Sequence, residues 1–410
     1  MLGATFAYSG ATFLHFALLL PASAIEKIAA SADVDAIDKR GDTPLHFATC
    51  FLNPVAIEIL LAAGASVDIA NKYGATPLHL AAVKNPIVSV TEALIAGGAN
   101  VNAANKKGNT PLHFASEKQS NPAVIEALLV AGANVNVTNN YNSTPLHWAA
   151  NNNSSVAVIE VLIAGGANIN ATNKKGNTPL HLAAEQQSNP AVIEALLAAG
   201  ADVNITNNYN NTPLHLAAGD NPSVAIIETL LAAGANIEAT NKRGATPLHW
   251  AAGDNPNIAV IETLLASGAK VDAGNEDGNT PLHWAAWDNP NPAVIETLLA
   301  AGADIKATNK IGVTPLQWSA FGNPNVAVLE TLLAAGADID YRDQKTGNTI
   351  LHWAAWNNPE PAIIKTLLAA GADINAFDNE LATPLLAASY KNNPAIIETL
   401  LAAGADIAIQ

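Results

Sequence analysis

The tetrapeptide Thr-Pro-Leu-His recurs along the whole chain with a period of about 34 residues, and this period constrains the fold more than any other feature. A degenerate copy, Thr-Phe-Leu-His, precedes the others. A fixed period of roughly 20 to 50 residues is typical of solenoids, propellers and arrays. The sequence therefore predicts a single domain spanning residues 1–410, built of about twelve repeats that begin at Thr12, Thr43, Thr76, Thr110, Thr144, Thr178, Thr212, Thr246, Thr280, Thr314, Thr349 and Thr383.

Each repeat carries the signals of two helices. In one repeat, Thr246 followed by Pro247 reads as an N-cap and a first helical residue. Asn255 followed by Pro256 reads as a second start of the same kind, and the residues after it form one apolar stripe at helical spacing: Val260, Ile261, Leu264 and Leu265. Gly268 ends that helix, and residues 270–279 read as an extended finger that turns into the next repeat.

The motif, its period and the later Gly-Ala-Asp-Val-Asn segment resemble the ankyrin repeat family, and the resemblance covers nearly the entire chain. It implies an all-α repeat solenoid of helix-turn-helix units with short β-hairpin fingers. It also implies that the motif histidine hydrogen-bonds to backbone near the finger and ties neighbouring repeats together. Partners of such proteins bind a concave face lined by the ends of the first helices and by the finger tips.

A second, longer periodicity is superimposed on the 34-residue repeat. The segment Asn-Lys-Lys-Gly-Asn-Thr-Pro-Leu-His begins at Asn105 and again at Asn173, and in each case an Asn-Asn-Tyr-Asn variant follows in the next repeat. The two copies are 68 residues apart, which indicates a duplication of two repeats.

Composition excludes several classes of protein. The single cysteine, Cys50, rules out an intramolecular disulfide framework and any multi-cysteine zinc site. The net charge of −16 argues against nucleic acid as the main partner. No apolar run reaches the roughly 20 residues that a membrane span needs. Lysines at the finger tips, such as Lys72, Lys106 and Lys242, read as solvated tips, or alternatively as a basic rim for an acidic partner.

The N-terminus has two interpretations. Residues 13–20 are apolar apart from His15, and Ala22-Ser23-Ala24 resembles a signal-peptide cleavage site. However, no Lys or Arg precedes Lys27, whereas signal peptides begin with basic residues, and the same segment fits a first repeat. We therefore expect a cytoplasmic protein, the alternative being a secreted one if residues 1–24 act as a signal peptide.

The candidate catalytic residues all have structural explanations. Every one of the ten histidines is the fourth residue of the repeated motif, whereas a catalytic histidine normally breaks its local pattern. The recurring glutamates, such as Glu262, form one exposed row along the second helices. Finger residues 201–207 fit backbone-satisfying Asx turns better than a calcium loop, which needs several carboxylates. We expect no enzyme activity, no cofactor and no metal site.

The eighth residue of each repeat varies along the chain, and this variation suggests where a partner binds. This position, near the end of the first helix, reads Leu19, Cys50, Val83, Glu117, Asn151, Glu185, Gly219, Gly253, Trp287, Phe321, Trp356 and Tyr390. One position in successive repeats forms a row, so we expect the last four to form an exposed aromatic strip that binds a partner. The alternative is that these rings pack between neighbouring repeats as a ladder.

Two other sets of large side chains differ from this row. The fifth position is almost always large and apolar, as at Trp250, Trp284 and Trp318, and reads as packing. Tyr73, Tyr141 and Tyr209 lie at finger tips in alternate repeats. They are either exposed partner contacts or covers for the neighbouring finger.

These observations favour a non-enzymatic scaffold that recognises a partner protein on its concave face. The alternative is a structural array that self-associates through its ends, because Ile407 and Ile409 are apolar and no polar helix follows them. We expect a monomer or weak end-to-end self-association, and we expect the chain to be a fragment of a longer array.

Overall fold

The computed structural model describes residues 13–51, 53–84, 87–118 and 121–407. These residues contain 24 helices in twelve pairs and no strand. The first helices of the pairs are α1 (Phe13–Ala17), α3 (Pro44–Cys50), α5 (Pro77–Lys84), α7 (Pro111–Lys118), α9 (Pro145–Asn152), α11 (Pro179–Gln186), α13 (Pro213–Asp220), α15 (Pro247–Asp254), α17 (Pro281–Asp288), α19 (Pro315–Gly322), α21 (Ile350–Asn357) and α23 (Pro384–Tyr390). The second helices are α2 (Ala22–Ala29), α4 (Pro54–Ala62), α6 (Val88–Ala96), α8 (Ala123–Val130), α10 (Val156–Ala164), α12 (Pro190–Ala198), α14 (Val224–Ala232), α16 (Ile258–Ala266), α18 (Pro292–Ala300), α20 (Val326–Ala334), α22 (Pro361–Ala369) and α24 (Pro394–Ala402).

The chain divides into two compact units, an N-terminal unit of residues 1–202 and a C-terminal unit of residues 203–410. Within each unit, first helices pack on first helices of neighbouring repeats and second helices on second helices. This confirms the predicted all-α repeat array. That the whole chain acts as one domain of about twelve repeats stays a prediction. Thr12 and Ile409, named above for the two ends, lie outside the described residues.

The Thr-Pro-Leu-His motif starts the first helix as the sequence predicts. The Thr43 backbone N–H donates to Nδ1 of His46 at 3.0 Å, and Thr43 Oγ1 accepts from the His46 backbone N–H. Pro44 occupies the first helical position, where a missing N–H costs nothing. The motif is therefore a capping box in which histidine takes the place usually held by glutamate or glutamine.

The predicted start of the second helix is wrong. Helix α16 begins at Ile258, and its N-cap is Asn257, whose side chain accepts from the Ala259 backbone N–H. Asn255 is only 1% exposed, and its Nδ2 donates to two carbonyls of the preceding repeat, those of Ala218 and Asn221. The buried amide therefore joins repeats instead of starting a helix, because a buried side-chain amide needs hydrogen-bond partners and the preceding repeat supplies them.

The apolar stripe of the second helix forms the core. Val260, Ile261 and Leu264 are fully buried, whereas Leu265 is half-buried at the edge of the stripe and Glu262 is exposed. Full burial of each such side chain contributes about 1.5–3 kcal/mol. Because neither helix of a pair buries its stripe alone, the neighbouring repeats complete the core.

The fingers are hairpin-shaped turns. In one finger, Asn71 Oδ1 accepts from the backbone N–H groups of Tyr73 and Ala75, which forms an Asx turn. The backbone of Lys72 donates to Arg40 O in the preceding finger at 2.8 Å, so successive tips are joined. Gly74 has φ +78°, and a Cβ there would lie 2.8 Å from the Lys106 backbone nitrogen, so only glycine fits.

Residues 13–29 fold as the helix pair of a first repeat. His15 Nε2 lies 3.0 Å from Asp42 O, and its ring makes an edge contact with Phe47, with centroids 4.9 Å apart. The segment that resembles a signal peptide thus packs on the following repeat. Among the described residues, no helix has the length and apolar character to cross a membrane.

Candidate functional site

The aromatic residues of the eighth position lie at the ends of successive first helices in the C-terminal unit. Trp287 is the penultimate residue of α17, Phe321 of α19 and Trp356 of α21, and Tyr390 is the last residue of α23. We call the surface formed by the eighth and ninth positions of the first helices in this unit the first-helix face. Trp287, Trp356 and Tyr390 are 42%, 43% and 71% exposed, and Phe321 is half-buried.

Two eighth-position rings, those of Trp287 and Phe321, also contact fifth-position rings of their own or the next repeat. Trp287 stacks on Trp318, with centroids 4.6 Å apart. Phe321 makes edge contacts with Trp318 at 5.7 Å and with Trp353 at 5.5 Å. In Trp287 and Phe321, the exposed strip and the packed ladder, which the sequence presented as alternatives, therefore occur together: one part of each ring is packed and another part faces water.

The C-terminal end of the strip borders a groove of about 810 Å³. Its apolar wall comprises Phe321, Trp353, Trp356 and Tyr390, and finger residues close the other side. Lys391 Nζ lies 4.5 Å from the centroid of the Trp356 ring, which is a cation–π contact. A groove with one aromatic wall and one polar wall suits a partner segment that carries both apolar and polar side chains.

Two glycines at the eighth position have a role that the sequence analysis missed. A Cβ on Gly219 would lie 2.8 Å from the Trp250 ring, and one on Gly253 would lie 3.2 Å from the Trp284 ring. Each glycine therefore leaves the space that the fifth-position indole of the next repeat occupies. The signal was present in the sequence, because each glycine precedes a repeat whose fifth residue is tryptophan.

Both ring nitrogens are hydrogen-bonded in eight motif histidines: His46, His79, His113, His147, His215, His249, His283 and His352. Their Nε2 atoms lie within hydrogen-bond distance of the backbone carbonyl that precedes the next threonine, as His249 does with Asn279 O at 2.9 Å and His283 with Val313 O at 3.0 Å. Since Nδ1 accepts from a threonine N–H, the proton resides on Nε2, which donates. The predicted structural role is confirmed at these positions. Burial lowers the pKa to about 4 for His113, His147, His249 and His283.

The family comparison agrees with this geometry. The family model described as ankyrin repeats, three copies, matches residues 14–90, 82–173, 152–241, 214–309, 288–378 and 316–410. The chain belongs to the ankyrin repeat family. Among solved structures, the human ASB11 ankyrin repeat domain is 30% identical with a TM-score of 0.50, and the match covers 56% of this chain and 99% of that one. A comparison with the curated proteins finds no match.

Ankyrin repeats generally serve as scaffolds for protein–protein interaction, so protein partners are indicated for this chain. The resemblance given by the repeated motif is thereby confirmed. The finger tyrosines of this ankyrin array, Tyr73, Tyr141 and Tyr209, are all exposed. They lie on fingers, not on the first helices, and so they do not join the aromatic strip.

The finger oxygens of the ankyrin repeats are occupied by backbone donors. Asn207 Oδ1 accepts from the N–H groups of Tyr209 and Asn211, and Asn204 Oδ1 accepts from the Asn236 N–H. The predicted Asx turns are confirmed. Within the described part of the chain, no cluster of three or more His, Cys, Asp or Glu side chains is placed to hold a metal ion.

A row of carboxylates is a further feature that the sequence analysis missed. Asp220, Asp254 and Asp288 occupy the ninth position, directly after Gly219, Gly253 and Trp287, and all three are exposed. Partial burial at the helix end raises the pKa of each carboxyl. The neighbouring carboxylates Asp220 and Asp288 raise the pKa of Asp254 further.

Proposed function

We propose that this ankyrin repeat protein is a non-enzymatic scaffold that binds a partner protein on the first-helix face of its C-terminal unit. In this proposal, the first-helix face is the concave face that the family resemblance implies. The observation that carries the proposal is the aromatic strip of Trp287, Phe321, Trp356 and Tyr390, whose last three members line a groove. Tryptophan and tyrosine are enriched among the residues that dominate binding energies.

The packing of the strip supports a binding role. Stacking of Trp287 on Trp318 and the contacts of Phe321 fix the rings before a partner arrives. A preformed surface loses little conformational entropy on association, so more of the contact energy appears as affinity. The absence of catalysis is also part of the proposal, and it is supported by histidines that are neutral and bonded through both ring nitrogens.

The test is capture of partners on the immobilised 410-residue chain. In one variant Trp356 and Tyr390 are changed to Ala, because these two rings make no ring–ring contact with a neighbouring repeat among the described residues. In a second variant Trp287 and Phe321 are changed as well. A matched control changes the finger residues Tyr73, Tyr141 and Tyr209 to Ala. Circular dichroism and thermal melting establish that each variant is folded.

We expect proteins from a lysate of the source cell to be retained by the wild type and the finger control, and lost from the Trp356/Tyr390 variant. Equal retention by the wild type and that folded variant would refute the proposed site. Selective loss from the finger variant would move the site to the finger tips.

A second candidate function is end-to-end self-association. Three apolar side chains of the last helix pair and the segment after it are exposed: Leu386, Leu401 and Ile407. Leu386 replaces the motif histidine, so it offers no hydrogen bond to a following repeat. Sedimentation velocity across a hundredfold concentration range tests this function. Larger species that disappear in a Leu386→Asp/Leu401→Asp variant would support it, and a constant monomer would exclude it.

A further inference from the structure

The first-helix face of the C-terminal unit changes character along its length. The ninth position reads Asp220, Asp254 and Asp288 in three successive repeats, and then Gly322, Asn357 and Lys391. The eighth position reads glycine twice and then four aromatic residues. One end of the face therefore carries carboxylates next to glycines, and the other end is aromatic. The two parts meet at Trp287 and Asp288.

The carboxylates of this face have no positive partner within 4.0 Å among the described residues. Among the described residues, the ion pair within 4.0 Å joins Lys118 and Glu117, and none involves Asp220, Asp254 or Asp288. Partial burial raises the pKa of each carboxyl, and the like charges of Asp220 and Asp288 raise the pKa of Asp254 further. Positive charges laid along the row would remove this repulsion.

The aromatic part of the face also accepts a cation. Lys391 Nζ lies 4.5 Å from the Trp356 ring centroid, although both side chains are on the surface. The contact shows that the exposed indole face is oriented to receive a positively charged or apolar group. A partner side chain reaching Trp356 would replace or extend this contact.

The spacing of the repeats matches an extended chain as the occupant. Packed helices lie about 8–10 Å apart, and an extended chain rises about 3.3 Å per residue. Every third residue of an extended segment therefore meets the next repeat. The six repeats from Asp220 to Tyr390 correspond to a segment of about 15 residues.

We propose that the first-helix face binds an extended segment of a partner protein. Lys or Arg residues at three-residue spacing lie over Asp220, Asp254 and Asp288, and apolar or aromatic residues at the same spacing lie over Trp287, Phe321, Trp356 and Tyr390. This inference rests on the proposed function and specifies the chemistry of its partner. An acidic segment is disfavoured because it would face three unpaired carboxylates.

The probe is a phage-displayed library of random 15-residue peptides, selected on the immobilised 410-residue chain. We expect the enriched peptides to carry Lys or Arg at three-residue intervals in one half and aromatic or aliphatic residues in the other. No enrichment above an empty surface, or enrichment of acidic peptides, would overturn the inference.

The enriched peptide is then synthesised, and its affinity is measured by fluorescence anisotropy against two charge variants. The test variant is Asp220→Asn/Asp254→Asn/Asp288→Asn. The matched control is Glu262→Gln/Glu296→Gln/Glu330→Gln, which removes the same number of exposed charges from the second helices. We expect the test variant to lose about tenfold in affinity and most of the salt dependence, since three exposed ion pairs are removed. Equal affinity for the wild type and the test variant, or an equal loss in the control, contradicts the inference.

The two proposals fail in distinguishable ways. If partner capture depends on Trp356 and Tyr390 but is unchanged by the three Asp→Asn substitutions, and the library yields no basic peptide, the scaffold function stands and the basic segment is wrong. If capture and peptide binding are both indifferent to the aromatic residues, the binding surface itself is wrong.

Discussion

The indole of Trp287 stacks on the indole of Trp318 in the following repeat, with ring centroids 4.6 Å apart and ring planes inclined by 19°. Trp287 is nevertheless 42% exposed. The same ring therefore contributes to the packing of two repeats and presents a surface to solvent. Substitutions along the strip must be tested for folding before they are tested for binding.

The Trp287–Trp318 stack is expected to contribute a measurable coupling energy. In a double-mutant cycle with Trp287→Ala and Trp318→Ala, we expect about 0.5–1.5 kcal/mol of coupling in urea unfolding. The control cycle pairs Trp318→Ala with Trp356→Ala, whose rings are not in contact, and should give a value near zero. Coupling of the same size in both cycles would show that stacking is not the cause.

Stability is expected to fall as the pH is lowered from neutrality. The pKa of His113, His147, His249 and His283 is lowered from 6.5 to about 4 in the folded protein by burial, so below pH 6.5 the unfolded chain takes up protons first. Each histidine then contributes about 1.4 kcal/mol of destabilisation at pH 5.5, approaching about 3 kcal/mol near pH 4.

Urea unfolding between pH 7.5 and 5 measures this effect. A His249→Gln variant should be less stable at pH 7.5 and should show a shallower decline, because one titrating group is gone. Stability that is flat over this range would contradict the burial of neutral imidazoles. The raised pKa values of Asp220, Asp254 and Asp288 act in the opposite direction, but these groups are exposed and solvent screens them.

Thr91 offers a stabilising substitution. It is fully buried in α6 at the position held by Ile57, Ile125 and Ile159 in other repeats, and its Oγ1 has no hydrogen-bond partner. Thr91→Val removes the unpaired hydroxyl at nearly constant volume, and we expect about 1–2 kcal/mol of added stability.

The control for Thr91 is Thr229→Val in α14, since Thr229 Oγ1 donates to Ala225 O at 2.8 Å. Thermal melting of both variants tests whether removal of the unpaired hydroxyl stabilises the protein. A rise in Tm for Thr91→Val alone supports the interpretation, and no change would show that the buried hydroxyl is already satisfied.

Gln317 marks a junction that lacks one inter-repeat bond. Its Oε1 accepts from the Thr314 N–H as a motif histidine would, but its Nε2 is buried without a partner. Gln317→His should restore a donor toward Asn348 O, the carbonyl before Thr349, and stabilise the C-terminal unit by about 1 kcal/mol. Hydrogen exchange at α19 and α21 would show increased protection. Unchanged exchange would indicate that the longer finger after Gln317 moves the carbonyl out of reach.

Local signals predicted the first helices well and the second helices less well. Thr246 caps α15 because threonine and proline in sequence admit few other structures. Asn255 and Pro256 carry the same local signal, yet Asn255 is buried between carbonyls of the preceding repeat and α16 starts at Ile258. A tertiary contact with residues more than thirty positions away decided that boundary, and no local pattern contains it.

The aromatic strip was predictable as a row but not in its exposure. The position of Trp287, Phe321 and Trp356 in successive repeats follows from the period alone. The fraction of each ring that stays exposed depends on which fifth-position ring packs beside it, such as Trp318 beside Trp287. The ninth-position carboxylates gained significance only when the structure placed them beside this strip.

The choice of acceptor for the motif histidine bears on how such a chain evolves. His249 binds the main-chain carbonyl of Asn279, and His215 binds that of Ala245, so the partner's side chain is irrelevant to the bond. A repeat inherited by copying therefore meets a compatible neighbour without any compensating substitution. The 68-residue duplication in the sequence is consistent with unequal recombination, which can copy repeats when no compensating substitution in the neighbouring repeat is needed. Selection can then act on the eighth and ninth positions of each copy while the junctions between copies remain intact.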